Sequence, residues 1–546
     1  MGVPASTNAP LTRINLPSST IAPVSPAVLD RATAAPRAPV EELGTAPGPQ
    51  LPEPVFGATD RLRGTVVGLV LTLLAVITRF WGLTQPTDKG TPVFDEKHYV
   101  PQGWQVLRGD GWIEDNPAYG LVVHPPVGKW MLALSEGLFG YGPMGWRFIP
   151  AVSGVIIVLA IYLSVRRLSR STLVGALAGL FAICDGVLFV QSRMGMLDIF
   201  QAMFVVLAFA ALLADRDQMR ARLHRVYLEG RIGDSPLGPR LGFRWYRFTA
   251  GLMLGLACGT KWSGLYFVVF FTVLSLGFDV AARRAYHVHR PWKGVLVRDL
   301  IPSGASLVLM PIAVYLATFA VWFRSESSVY RHVVGTEVGT DGPFAWLPAG
   351  LRSFWYYESG ILSFHSGLTN AAGNQHPWES KPWAWPMALR PMLYAIDYGP
   401  DQCGGGDCIR AQMLLGTPAL WWLALPMLAW GLWRMIFRRD WRYAAVLAGY
   451  GAAVLPWFFE IDRQMYFFYA TVMAPFLVMG LALCCADVLS SAGRGRDSAS
   501  RTLAVLAVAI YAALVVVNFA FAWPVLTGAP ISNQFWNMQL WLPSWT

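Results

Sequence analysis

Residues 91–129 read TPVFDEKHYVPQGWQVLRGDGWIEDNPAYGLVVHPPVGK, a polar island set between long apolar runs. The island holds the adjacent carboxylates Asp95 and Glu96, then Lys97 and His98, and later His124, a Pro-Pro pair and Lys129. Against a membrane, such a loop supplies a base and several cations in one short segment. That is the equipment for a displacement that releases phosphate.

Working outward, the composition fixes the solvent. Of 546 residues 54% are hydrophobic and 14% charged, and apolar windows of about 20 residues, the length a spanning helix requires, recur from Gly64 onward. A soluble core does not need so many uninterrupted runs, so the chain reads as an all-α polytopic membrane protein. Residues 1–60 are rich in Pro, Ala, Ser and Thr, with no apolar stretch long enough for a signal-peptide core, and read as a disordered tail.

The first span is expected at 64–83, preceded by Arg61 and Arg63 and followed by the acidic pair, which makes the tail cytoplasmic. Further spans are expected at 147–165, 173–190, 197–214, 248–259, 264–280, 301–323, 413–436, 443–459, 466–488 and 503–523, about eleven in all. With eleven, the basic segments 166–170, 283–298, 438–442 and 494–501 and the loop 215–247, with its eight arginines, all fall on one side. By the positive-inside rule that side is the cytoplasm. Merging 248–280 into one span would put 283–298 on the opposite face. The expected organisation is therefore a transmembrane domain over 61–546, with one outer loop at 84–146, an outer aromatic-rich loop at 324–412 and the C-terminus outside.

This topology gathers Asp95, Glu96, His124, Lys129, Arg147, Arg193, Asp198, Lys261, Asp462 and Arg463 at the outer face. Ionisable groups at membrane depth are costly unless paired or functional, so a cluster drawn from five segments reads as a site. Plainer readings stand beside this one. Arg193 with Asp198, and Asp462 with Arg463, fit structural pairs at helix ends; Lys261 beside Trp262 fits a snorkelling lysine; Asp185 fits a bond to a neighbouring helix. Asp95 and Glu96 carry the strongest functional reading, because neighbouring carboxylates resist joint ionisation without outside compensation. Positions i and i+1 diverge on a helix, so one can face substrate while the other faces a support.

The segment 324–410 contains FWYYESGILSFH and HPWESKPWAWPMALRP. Aromatics with a polar tip favour the membrane interface, so this loop is expected to lie on the bilayer surface and roof the site. Cys403 and Cys408 flank a glycine run and fit a disulfide; two thiols alone do not make a metal site. The other four cysteines read as packing residues.

FDEKHY, VHPPVGK, QSRMGMLD, GLACGTKWSGLY, HPWESKPWAWPMALRP and RQMYFFYATVMAP occur in the order seen in protein O-mannosyltransferases of the GT-C superfamily, which the chain resembles from about Gly64 onward. The Pro-rich tail and short outer loop look like an actinobacterial member, which implies a bacterial cell membrane, a GT-C catalytic domain over 61–546 and a catalytic role for the loop 84–146. The resemblance implies transfer of mannose from a polyprenyl-phosphate carrier to Ser or Thr hydroxyls of exported proteins. It implies Asp95 as the base, with Glu96 its partner. Donor phosphate and sugar are assigned to His124, Lys129, Arg147, Arg193, Asp198, Lys261 and Arg463, and the acceptor to His376, Trp378, Glu379 and Trp383.

No cofactor, metal or nucleic acid is expected; membrane lipids, and the secretion translocon as a candidate, complete the partners. Two departures stand out. The loop 324–410 has no room for the β-trefoil-like domain of eukaryotic relatives. Where the late family motif often has His before Tyr, this chain reads Phe467-Phe468-Tyr469, so no role of that His carries over.

The chemistry agrees with these residue types. A hydroxyl is a poor nucleophile unless a carboxylate accepts its proton, and a phosphate diester becoming a monoester gains charge that cations stabilise. A β-linked carrier giving an α-mannoside needs one inverting displacement and no general acid. The alternatives are another lipid-phosphate-sugar transferase with a lipid or glycan acceptor, and a transporter. Against the transporter, the charges cluster at one face and no internal repeat is visible.

Overall fold

The computed structural model describes residues 57–109, 123–373, 375–398, 408–494 and 498–545. The expected tail therefore lies outside the described residues, except that the first helix already begins at Ala58. In chain order the helices are α1 (Ala58–Phe80), α2 (Glu96–Arg108), α3 (Val127–Phe139), α4 (Pro143–Ser169), α5 (Thr172–Ile183), α6 (Gly186–Gln191), α7 (Asp198–Leu228), α8 (Trp245–Cys258) and α9 (Gly264–Ala285). Then follow α10 (Pro291–Arg298), α11 (Leu300–Gly304), α12 (Met310–Thr318), α13 (Ala320–Arg324) and α14 (Ala349–Gly367). Two strands, β1 (Met392–Tyr398) and β2 (Cys408–Leu414), precede α15 (Pro418–Trp421), α16 (Ala424–Phe437), α17 (Trp441–Val454), α18 (Ala474–Arg494) and α19 (Ser498–Thr527). Strand β3 (Pro530–Ser532) and α20 (Asn533–Gln539) come last.

Among the described residues, eight helices are long and apolar enough to cross a bilayer: α1, α4, α7, α9, the α11–α12 run, the α15–α16 run, α18 and α19. The remaining expected spans are helical but shorter, with 12 residues in α5 and 14 each in α8 and α17. α7 is almost wholly buried and is the axis of the bundle, whereas α1 and α19 leave apolar faces exposed. Lipid tails are as apolar as leucine, so these helices are held by close packing and polar contacts rather than by hydrophobicity. Gly251 of α8 shows how close: a Cβ there would sit 1.7 Å from the carbonyl oxygen of Ser306, in the π-turn joining α11 to α12.

Three expectations are corrected. The segment 173–190 is broken, because Asp185 leaves the helix and its carboxylate caps α6 by accepting from Leu188 N at 2.8 Å. Its other oxygen accepts from Trp421 Nε1 at 2.6 Å, a bond to a neighbouring helix. The segment 413–436 starts in a strand, with its helices beginning only at Pro418. The fold is also mostly helical rather than all-α: β1, β2 and β3 form an antiparallel sheet in that order. Cys408 at the start of β2 is disulfide-bonded, while Cys403 lies outside the described residues.

Several arginines of the basic segments are held in ion pairs. Arg166 bonds Asp60 at 2.8 Å, Arg283 bonds Asp299 at 2.8 Å, and Arg244 bridges Asp279 (2.7 Å) and Asp215. Buried charges survive only when neutralised in this way.

Candidate active site

A cavity of about 550 Å³ opens beside the N-terminus of α2, a volume ordinary for a small-molecule site. Asp95 is the residue before α2, and its carboxyl lines the cavity. Phe94, just before it, has φ +52°, a left-handed conformation that bulky residues adopt only where neighbours enforce it. Among the described residues the Asp95 carboxyl accepts no hydrogen bond, in contrast to its neighbour. Glu96 is fully buried, accepting from Arg147 Nε and Nη2 (both 2.8 Å), Gly195 N (2.7 Å) and Val93 N (3.2 Å). The two acids thus diverge, one toward space and one into a lock.

Arg147 and Arg193, expected among the phosphate-binding cations, are placed elsewhere. Beyond Glu96, Arg147 donates to the carbonyls of Leu83 (3.2 Å) and Pro86 (2.8 Å). Arg193 serves the carbonyls of Arg79 (2.8 Å), Trp81 (2.6 Å) and Gly82 (2.9 Å) and does not pair with Asp198. Both guanidinium groups are buried and neither lines the cavity. They satisfy chain ends at the top of α1 that helix geometry leaves unpaired.

The cations that do reach the cavity are Lys129, Lys261 and Arg463. Lys261 lies in the break between α8 and α9 and grips Asp198, at the start of α7, at 2.8 and 2.9 Å. Gln201, one turn into α7, staples that break by donating to Lys261 O (3.2 Å) and Ser263 Oγ (2.9 Å). Pro125 and Pro126 lead into α3, whose first residue donates to Gly259 O at 2.9 Å. A Cβ on Gly128 would meet Leu197 at 2.6 Å, so only glycine lets α3 approach closely enough to bring Lys129 to the wall. Lys129 Nζ donates to His124 O at 2.8 Å.

The sequence reading missed His365. It ends α14, stacks on His124 (centroids 5.4 Å, 29°) and lines the cavity. Its Nε2 is 2.8 Å from Val123 O and its Nδ1 3.2 Å from Arg463 Nη2. A carbonyl only accepts and a guanidinium only donates, so the ring is the neutral Nε2–H tautomer. Burial and the nearby Arg463 charge agree, lowering its pKa to about 4. His124 is likewise held well below the usual imidazole range, by burial first and by the surrounding cations second. Both rings are neutral donors or acceptors at physiological pH.

α14 is roofed into place by a cluster of Phe319, Trp322, Phe354, Tyr357 and Ile361, and by a chain in which Trp262 Nε1 donates to Tyr315 Oη (2.9 Å) and Tyr315 Oη to Glu358 (2.8 Å). The next segment is stitched to the turn holding Arg463 by Gln464 N to Leu368 O (2.9 Å), Asn370 N to Asp462 O (2.8 Å) and Ser380 N to Met465 O (2.8 Å). Of the expected acceptor residues, His376 lines the cavity. Glu379 is paired with Lys381 and Asn370, Trp378 packs under Arg390 at 5.0 Å, and Trp383 is exposed. Among the described residues no group of three or more His, Cys, Asp or Glu could hold a metal ion.

Burial raises the Asp95 pKa to about 6, with Asp198 adding to the shift and Lys261 opposing it. A group that must be ionised to accept a proton is competent above that value and lost below it. kcat/KM for transfer is therefore expected to show an acid limb near pH 6, about tenfold per unit beneath it. A profile flat down to pH 5 would contradict a carboxylate base at this position.

Two family models match the chain: "Dolichyl-phosphate-mannose-protein mannosyltransferase" over residues 69–325 and "C-terminal four TMM region of protein-O-mannosyltransferase" over residues 350–545. A polyprenol-phosphate-mannose–protein mannosyltransferase of Mycobacterium tuberculosis is 58% identical over 501 residues, 92% of this chain and 95% of the relative. A protein of the same description from Corynebacterium glutamicum is 44% identical over 489 residues, 88% and 93%. Among solved structures, the chain resembles one in the S. cerevisiae protein O-mannosyltransferase Pmt1-Pmt2 complex bound to the sugar donor. There the TM-score is 0.68 at 15% identity, covering 90% of this chain and 93% of that one. The archaeal oligosaccharyltransferase AglB from Archaeoglobus fulgidus follows with a TM-score of 0.50 at 15% identity, covering 89% and 58%.

Proposed function

The chain belongs to the protein O-mannosyltransferase family, and from that premise we propose that it transfers mannose from polyprenol-phosphate-mannose to Ser or Thr hydroxyls of polypeptides. The observation that carries the mechanism is the carboxyl of Asp95, which faces the cavity and accepts no hydrogen bond among the described residues, while the adjacent Glu96 is buried against Arg147. The acceptor O–H gives its proton to Asp95 as its oxygen attacks the anomeric carbon. The bond from that carbon to the phosphate oxygen breaks, and the carrier leaves as a phosphate monoester. One displacement inverts the anomeric centre.

Lys129, Lys261 and Arg463 supply the positive field for the phosphate, and His124 and His365 supply neutral ring nitrogens beside it. Asp198 orients Lys261 and offers an acceptor to a sugar hydroxyl. His376, which lines the cavity, is assigned to the acceptor together with Trp378, Glu379 and Trp383. The deciding assay pairs purified protein and labelled polyprenyl-phosphate mannose with Ser/Thr peptides. Label is expected on the peptide; label moving only to a lipid or glycan acceptor would replace this reading.

The same reading gives eleven crossings, counting α5, α8 and α17, with the cavity on the extracytoplasmic face of a bacterial cell membrane and loop 215–247 in the cytoplasm. A lipid-borne sugar suits that side, since sugar nucleotides are confined to the cytoplasm, and acceptors are met during or after export, next to the translocon. Single cysteines at Lys89 and Gly233, both exposed, test it in a background lacking native cysteines. An impermeant thiol reagent should label position 89 and spare 233 in intact cells; the reverse pattern would invert the topology.

A further inference from the structure

Tyr394 lies outside the cavity wall and has no part in the chemistry above, yet three observations converge on it. The first is the backbone of Phe94, whose φ of +52° aims the following residue, Asp95. An aromatic L residue holds that conformation only when its surroundings over-determine it. The second is what surrounds it: the ring of Tyr394 stacks face to face on Phe94, centroids 4.4 Å apart and planes 10° from parallel, while Phe468 meets Phe94 edge-on at 6.0 Å and 70°. The third is that Tyr394 is itself fixed. It is 5% exposed, sits on β1, and its hydroxyl accepts a 2.9 Å bond from Nε2 of the buried Gln191 at the end of α6.

We infer that Tyr394 is a positioning residue for the reaction: its ring clamps Phe94 in the left-handed turn, and the turn points the Asp95 carboxyl into the cavity. Glu96, locked by Arg147, holds the next residue, so the base is fixed from both sides of the chain. This inference rests on the reading of Asp95 as the base. A base displaced by even an ångström loses much of its effect, while the phosphate contacts of the donor, made by other segments, are untouched.

The experiment compares Tyr394→Leu and Tyr394→Phe in the purified full-length protein, measuring kcat, donor KM and binding of labelled carrier. Tyr394→Leu should lower kcat by roughly tenfold or more with donor KM and binding unchanged. Tyr394→Phe, which keeps the stacking face, should retain kcat within about threefold. If Tyr394→Leu does not accumulate, Phe94→Leu removes the stacked face from the other side and should give the same kcat-only loss. Because the two rings act as one unit, combining the changes should cost little more than either alone. Wild-type kcat in the leucine variants, or a loss residing in donor KM, would overturn the clamp. The underlying reading fails separately: if Asp95→Asn retains wild-type transfer, the base assignment falls, whereas an inactive Asp95→Asn beside a fully active Tyr394→Leu sinks only the clamp.

Discussion

Asp95→Asn is expected to lower kcat for mannosyl transfer by about 10²–10⁴-fold, the range that loss of a positioned base produces. The amide keeps the size of the side chain and removes only the ability to take the hydroxyl proton. Donor KM should hold, since the phosphate is assigned in the proposed mechanism to Lys129, Lys261 and Arg463, which line the same cavity. Stability should hold or improve. The raised pKa of Asp95 means that the folded environment disfavours its ionised form, and among the described residues no donor is left unpaired by the change. Measuring transfer, carrier binding and thermal midpoint on one preparation separates these effects. Transfer within tenfold of wild type would remove Asp95 from the chemistry; a lost carrier affinity would move it to the donor site.

Arg147→Met tests the opposite kind of residue. Its partner Glu96 has no exposed surface, and removing one member of a buried pair leaves the other charged without compensation, at a cost of about 3–5 kcal/mol. The carbonyls of Leu83 and Pro86 lose a donor as well. The expected result is a large fall in thermal midpoint and in the amount of protein reaching the membrane. Adding Glu96→Leu should restore part of the stability, because the orphaned carboxylate is then gone, but should not restore activity to a turn that has lost its lock. If Arg147→Met is instead as stable as wild type and fails to bind carrier, Arg147 is a phosphate ligand, as its position in the sequence suggested.

That contrast shows what a linear reading delivers. The motifs FDEKHY, VHPPVGK, GTKWSG and RQMY announced themselves as polar residues stranded among apolar ones, and Asp95, Lys129, Lys261 and Arg463 do line one cavity. Arg147 and Arg193 were expected on the same face but turn toward backbone carbonyls of α1 and the residues after it. Nothing in one dimension says whether a guanidinium meets solvent space or the open end of a helix. His365 was hidden for another reason. In FWYYESGILSFH it looked like one more interfacial ring, and only the fold of α14 stacks it on His124. The sheet was legible and overlooked: MLYAIDY and CIRAQML flank a glycine-rich stretch of sequence, a strand signal obscured by the Trp and Pro around it. The break at Asp185 likewise follows from the preference of aspartate for N-caps over helix interiors.

The third strand of that sheet has a consequence for biogenesis. β3 pairs Ser532 with Cys408 and Ile531 with Ile409 of β2, and β2 pairs with β1, which carries Tyr394. A ribosome delivers Asp95 early and β3 only after α19 has been made. The sheet that carries Tyr394 therefore closes only after β3 has been made, late in the order of synthesis. Chains truncated before residue 530 should bind carrier yet transfer no mannose to peptide, and transfer should return when residues 530–532 are included.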